Sequence, residues 1–343
     1  MRKKIIYSVW LILAILTLGW MLLQWQEVSY YSNQVGLRYQ GGVLSEEAVL
    51  SYYEKHPDDS LQITAWEQSA NQLITEPQLG RSSQAEVYQV SGNMAMVFPM
   101  QILDGGFSYT GDKKGCVISS GLAWTLFGST GVVGAAVEYN NATYLIRGVF
   151  KEEEAVLAIY QSDAKALMSN VELWDDTQQV AAGLVEIQSS LSLYGETYQF
   201  AGSLCNSAAR LLLGVPYFLI VFLLWHAYRR KAGRIKEGYP SGRRAWCRIG
   251  IQILAGLCLL AAFYIGIRIG ISFTSDFIPS SWSDFGFFIT KIKSIFHNMS
   301  GMRSMLPVFW ETKVLTELSG LVCSVLLFCT EIILCTRLKR IAF

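Results

Sequence analysis

Four stretches of this chain are long enough and bare enough of charge to cross a bilayer. Residues 5–23 carry no charged side chain, 211–227 carry only His226, 249–267 carry none, and 314–336 carry only Glu317 and Glu331. Each approaches the roughly 20 helical residues that a hydrocarbon core demands. Lipid offers the backbone no hydrogen-bond partner, so segments of this kind are expected to be helices. With 52% hydrophobic residues gathered into such blocks, the chain does not read as an ordinary soluble domain.

Orientation follows from Lys and Arg, because basic loops resist translocation. Arg2, Lys3 and Lys4 precede the first block, eight bases from Arg229 to Arg248 lie between the second and third, and Arg337, Lys339 and Arg340 follow the fourth. Both termini and the second-to-third loop are therefore expected inside the cell. Between Trp25 and Arg210 stand 21 acidic and nine basic residues, a net of −12 that suits a translocated domain and that the overall charge of +1 conceals. The start Met1-Arg2-Lys3-Lys4 resembles the basic region of a signal peptide, and a cleaved leader is the alternative to an anchor. The bulky Gln24, Trp25 and Gln26, with no small-residue cleavage site, favour an uncleaved signal anchor.

The expected fold is a membrane protein with four transmembrane α-helices and an α+β extracytoplasmic domain between helices 1 and 2. In order, the expected parts are a cytoplasmic N-terminus with helix 1 (1–24), the extracytoplasmic domain (25–210), helix 2 (211–228) and a basic cytoplasmic loop (229–248). Helix 3 (249–271), an extracytoplasmic loop with an amphipathic helix (272–313), helix 4 (314–336) and a cytoplasmic tail (337–343) follow. In the large domain, Ser45 before Glu46 and Glu47 reads as an N-cap with an acidic first turn, the helix ending at His56-Pro57. Short β-type runs, separated by Gly-Gly, Thr-Gly-Asp and Asn-Asn turn signals, fill residues 85–160 around one helix at 120–127. In the later loop, Phe285, Phe288, Ile289, Ile292, Ile295 and Phe296 recur at three- and four-residue steps opposite a polar face, the pattern of an amphipathic helix.

Catalysis needs convergent acid, base, nucleophile or metal groups. The chain has three histidines, His56, His226 and His297, and none of the H-E-x-x-H, G-x-S-x-G or G-x-x-x-x-G-K-[ST] signatures, so no catalytic, cofactor or metal site is assigned. The run Glu152-Glu153-Glu154 reads as a solvated loop. Arg268, Lys313 and Glu331 lie close enough to the ends of the apolar blocks to be expected to reach the headgroups. Cys116 and Cys205 are both placed extracytoplasmically. A disulfide is open to them, although the apolar run from Cys116 to Ile118 favours a core residue.

The middle of the large domain resembles the periplasmic core domain of MacB-type ABC transporter permeases, the group that includes FtsX-like permeases. The resemblance runs through Ile63-Thr64-Ala65-Trp66, Val90-Ser91-Gly92-Asn93 with Phe98-Pro99, and Leu103-Asp104-Gly105-Gly106-Phe107. It continues through Val117-Ile118-Ser119, Leu122-Ala123-Trp124, Leu126-Phe127-Gly128, Val133-Gly134 and Tyr144 to Val149. Gly106 and Ala135 stand where the pattern usually has Arg and Lys. On that pattern Trp124, Leu126 and Phe127 are expected in the domain core.

The resemblance implies a permease-like subunit without a nucleotide site of its own, paired with a separate ATP-binding subunit and a second permease copy or paralogue. It also implies transmission of ATP-driven motion to the outer domain for export or release of a substrate. The basic loop is the expected docking surface for the ATPase, through Ile235, Lys236, Glu237, Tyr239, Pro240, Ser241 and Arg243. In the alternative reading of that loop, its bases hold topology and touch anionic headgroups. Two other classes remain for the whole protein: a sensor or binding membrane protein working without an ATPase, and a membrane enzyme of unknown chemistry.

Overall fold

The computed structural model describes residues 2–58, 60–109, 111–176, 180–195, 197–235, 243–270 and 309–342, with the single positions 286, 289, 290, 293 and 296. The chain divides into two compact units. A sheet unit comprises 33–202 and 279–313, and a helical unit comprises 1–32, 203–278 and 314–343.

Among the described residues, four helices are long and apolar enough to cross a membrane: α1 (Arg2–Tyr30), α6 (Gly202–Ile235), α7 (Arg243–Gly270) and α8 (Phe309–Ala342). Within the helical unit, α1 and α8 are joined by polar contacts. Thr17 Oγ1 donates to Glu331 Oε1 at 3.2 Å, and Ser324 Oγ donates to Gln24 Oε1 at 2.9 Å. Glu331 therefore does not reach for the headgroups as its sequence position suggests. It is 3% exposed, since a hydroxyl on the neighbouring helix offers the partner that lipid cannot. Between α6 and α7, Tyr217 Oη donates to the Ala262 carbonyl at 2.6 Å and its ring lies against Gly266, where a larger residue would clash. Of the amphipathic helix expected at 285–296, the described positions 286, 289, 290, 293 and 296 are helical and exposed; the others lie outside the described residues.

The sheet unit carries β1 (Gln34–Tyr39), β2 (Gln62–Glu76), β3 (Arg81–Ser91), β4 (Ile102–Gly105), β5 (Gly115–Ser119), β6 (Ala136–Tyr139), β7 (Ala142–Phe150), β8 (Val156–Tyr160), β9 (Asn170–Trp174) and β10 (Thr197–Ala201). They form one sheet in the order β10-β1-β9-β2-β3-β8-β5-β7-β4, with β6 pairing β2 and β7. Most neighbours are antiparallel; β3 with β8 and β5 with β7 are parallel, and the short α3 (Met94–Val97) lies between β3 and β4. The long β2 runs through both halves of the sheet, and a register shift between Ser69 and Gln72, with Asn71 at φ +54°, bends it midway.

Each half has its own apolar core. In one, Val35 and Leu37 of β1, Ile63 and Ala65 of β2, and Val171 and Leu173 of β9 lie under α2 (Glu46–Lys55) and α5 (Val180–Ser190). The Ser45 side chain caps α2 by accepting from the Ala48 amide, as its sequence implies. In the other, Cys116, Ile118, Val149 and Leu157 pack under α4 (Ser120–Phe127), capped by Ser119 and ended by Gly128 at φ +72°. Cys116 and Cys205 are both free, and Cys116 belongs to this second core. Leu126 is fully buried and Phe127 packs at the core's edge, but Trp124 is 59% exposed. Its expected place in the core is thus corrected: α4 turns Leu122, Ala123 and Leu126 inward, and Trp124 falls on the opposite side of so short a helix.

Candidate functional site

Strand alternation puts successive side chains on opposite faces. While Val35, Leu37 and Tyr39 enter the core beneath α2 and α5, Gln34, Gly36 and Arg38 of β1 point the other way. The same alternation sends Glu172 of β9 and Thr64 and Trp66 of β2 to that second face. Register aligns them, with Glu172 opposite Gly36 on one side and Thr64 on the other. The first turn of α8 covers this face with Phe309, Trp310 and Glu311, which belong to the sheet unit.

Arg38 is the centre of the cluster. Its Nη2 lies 2.6 Å from Glu172 Oε1 and 2.6 Å from Glu311 Oε1, and its Nη1 donates to the Leu37 carbonyl at 3.0 Å. Arg38, Glu172 and Glu311 are each no more than 2% exposed. Two indoles complete the shell around Glu172. Trp66 Nε1 donates to Oε1 at 3.2 Å, Trp310 Nε1 donates to Oε2 at 3.0 Å, and Gln34 Nε2 donates to Oε2 at 3.4 Å. The guanidinium also stands 5.0 Å over the Trp66 ring. Burial pushes the Glu172 carboxyl above the ordinary carboxylate range, and Arg38 with the Trp66 and Gln34 donors offsets only part of that rise.

Gly36 is what makes room. A Cβ there would stand 2.8 Å from Glu311 Oε1 and 3.0 Å from Arg38 Nη2, so a side chain would displace the contact between sheet and helix. Aromatic packing widens the joint: Phe309 lies 5.8 Å from Tyr88 and 5.3 Å from Phe98, and Trp310 lies 5.1 Å from Phe200 in T-shaped geometry.

This arrangement offers no nucleophile beside a base, and among the described residues no three His, Cys, Asp or Glu side chains converge for a metal. Separating a buried arginine from its carboxylates leaves charges stranded in an apolar setting, which costs about 3–5 kcal/mol. The first turn of α8 is therefore held firmly on β1 and β9. Residues 31–33 separate α1 from β1, β10 passes directly into α6, and β1 pairs β10.

Of the residues expected to dock an ATPase, Ile235 ends α6 and Arg243 begins α7. Lys236, Glu237, Tyr239, Pro240 and Ser241 lie outside the described residues. Sequence reasoning does not single out Arg38, Glu172 or Glu311, which stand 134 and 273 positions apart from one another across the two contacts. One local signal exists: Arg38 sits between Leu37 and Tyr39 and Glu172 between Val171 and Leu173, and charges set in apolar β-type runs are seldom buried without a partner.

A family model described as MacB-like periplasmic core domain matches residues 5–195. Among solved structures, the periplasmic region of MacB from Actinobacillus actinomycetemcomitans is 14% identical, with a TM-score of 0.42 over 50% of this chain and 90% of that one. The extracellular domain of the noncanonic ABC-type transporter YknZ from Gram-positive bacteria is 16% identical, with a TM-score of 0.39 over 49% and 100%. A domain of a putative permease protein from Porphyromonas gingivalis is 12% identical, with a TM-score of 0.34 over 49% and 88%. No curated protein matches the chain.

Proposed function

The chain belongs to the MacB-like periplasmic core domain family, and on that premise we propose that it is the permease-like subunit of an ABC transporter, carrying motion from a separate ATP-binding subunit to its own outer domain. The basic flanks at 2–4, 229–248 and 337–340 support cytoplasmic termini and an outward-facing sheet unit. A second copy or paralogue completes the working assembly, and the chain itself carries out no chemistry.

The observation that carries this reading is the Arg38 cluster. A subunit that transmits force needs stiff joints between its membrane helices and the domain it moves. Here three residues join α1 to β1, β10 passes directly into α6, and the first turn of α8 is bound to β1 and β9 by a buried guanidinium shared between Glu172 and Glu311. The docking surface in this proposal is the segment from Ile235 to Arg243, whose sequence adds Tyr239 and Pro240 to the basic residues and so offers a partner more than charge.

Affinity purification of the full chain from native membranes tests the proposal. Co-purification of an ATP-binding subunit, with ATP hydrolysis in the recovered complex, is the expected outcome. The double variant Tyr239→Ser, Pro240→Ser, which keeps every base, is expected to insert normally and lose that partner. Recovery of the chain alone with a bound ligand would instead establish the sensor reading. Normal complex formation by the double variant would reduce the loop to an electrostatic role.

A further inference from the structure

The side of α4 that faces solvent carries a tryptophan with no structural duty. Leu122, Ala123 and Leu126 are fully buried while Trp124 is 59% exposed. Among the described residues outside the four apolar helices it is the one exposed tryptophan, for Trp66 is buried and Trp174 is half-buried. A large indole left in water forgoes the burial that normally stabilises it, and such side chains are typical anchors of ligand and partner contacts.

Trp124 lines an open groove of about 490 Å³ whose other walls include Gln101, Leu103, Thr130, Lys151 and Glu153. The groove is held by backbone. The Lys151 amide donates to the Gln101 carbonyl at 2.9 Å, and the Gly121 amide and Ser120 Oγ both donate to the Glu152 carbonyl, at 2.8 and 2.7 Å. A Cβ at Gly121 would collide with the Glu153 carbonyl oxygen, so this glycine is what lets the 151–153 segment approach α4 and set Lys151 and Glu153 beside the indole. The side chains of Gln101, Thr130, Lys151 and Glu153 make no hydrogen bond or ion pair among the described residues.

We propose that this groove binds a neutral saccharide. A pyranose has one face of C–H bonds, which stacks on an indole, and a rim of hydroxyls that both donate and accept. The groove presents that complement: an aromatic face with Leu103 beside it, a donor in Lys151, an acceptor in Glu153, and groups of both kinds in Gln101 and Thr130. Lys151 and Glu153 cancel in charge, which selects against strongly charged ligands, and Glu153 opposes a phosphate. An acyl chain finds no enclosed apolar slot in so open a groove. The site stands apart from the Arg38 cluster in the sequence and structure of the sheet, and binding there does not depend on coupling to an ATPase.

The full chain, labelled with 5-fluorotryptophan and held in detergent micelles, provides the test by fluorine NMR, with the Trp124 signal identified by its loss in Trp124→Phe. Maltotriose or N,N′-diacetylchitobiose is expected to shift that signal saturably while the other nine of the ten tryptophan signals hold still, which also reports that the fold is intact. Gln101→Ala and Glu153→Gln, which keep the indole, are expected to weaken binding by about tenfold each. A Trp124 signal that neither sugar moves overturns the proposal. So does one that moves only when lipid nanodiscs replace the micelles, since that would make the groove a membrane contact. Sugar binding undiminished in both polar variants would overturn the assignment of the groove's polar rim.

Discussion

Around α4 the sheet buries Cys116, Ile118, Leu122, Leu126, Val149 and Leu157 with no charged side chain among them, whereas the face of β1 and β9 turned away from α2 and α5 buries Arg38, Glu172 and Glu311. Both regions are produced by the same two-residue alternation of strands. They differ in what they demand. An apolar core tolerates rearrangement so long as volume is kept, while a buried ionic cluster is stable only in one geometry. The α4 half thus behaves as a packed body, and the β1–β9 half as a joint whose parts, the sheet and the first turn of α8, are held at a defined position.

The largest expected effect separates the two halves directly. Arg38→Ala strands two buried carboxylates and is expected to destabilise the full chain by about 3–5 kcal/mol, read as a fall in the midpoint of denaturation in detergent. Arg38→Lys, which keeps the charge but loses the planar fork, is expected to recover only part of the loss. A wild-type midpoint in Arg38→Ala would show that the cluster is not a joint. In the other half, Leu122→Ala removes a fully buried side chain and is expected to cost roughly 2–5 kcal/mol. That loss should leave the α8 contact intact, so the costs of Leu122→Ala and Arg38→Ala are expected to add in the double variant, as they do for sites that share no partner.

Gly36→Ala is a gentler probe of the joint. The added methyl displaces Glu311, so stability should fall, by about 1–3 kcal/mol as in overpacked sites, whereas Gly106→Ala, which meets open space, is expected to leave it unchanged. pH sharpens the comparison further. Because Glu172 holds its proton more tightly in the folded chain than in the unfolded one, its contribution is present at acid pH and declines as pH rises through the interval above the ordinary carboxylate range. Melting temperature against pH should show that decline in the wild type and lose it in Glu172→Gln. The smallest effect is expected at Trp124, where replacement by Ala should leave stability within about 0.5 kcal/mol, as at other exposed positions. A fall of several kcal/mol there would return the side chain to the core and remove the ligand groove.

Four apolar helices were legible in the sequence because length and the absence of charge are properties of contiguous residues. So was the Ser45 cap, which needs only its own helix, and so was the family pattern through residues 63–149, which is local in each of its pieces. Arg38 and Glu172 were not legible, although each interrupts an apolar run, because nothing near either residue names its partner. Trp124 stands outside the core, against its sequence pattern, for a related reason. An apolar residue type in an apolar motif predicts burial, but eight residues of helix present two sides, and only the packing of β5 and β7 against Leu122 and Leu126 decides which of them is inward.

What this sequence determines alone is therefore what short-range physics can act on: which segments are too apolar for water, where the basic residues gather, and where strands and caps begin. The tertiary structure decided which charges are buried together and which aromatic is left outside. Those outcomes depend on strand register and on the space left by single glycines such as Gly36 and Gly121. They arise when residues up to 273 positions apart meet, and Coulombic and steric terms over a few ångströms have no counterpart in the order of residues along the chain.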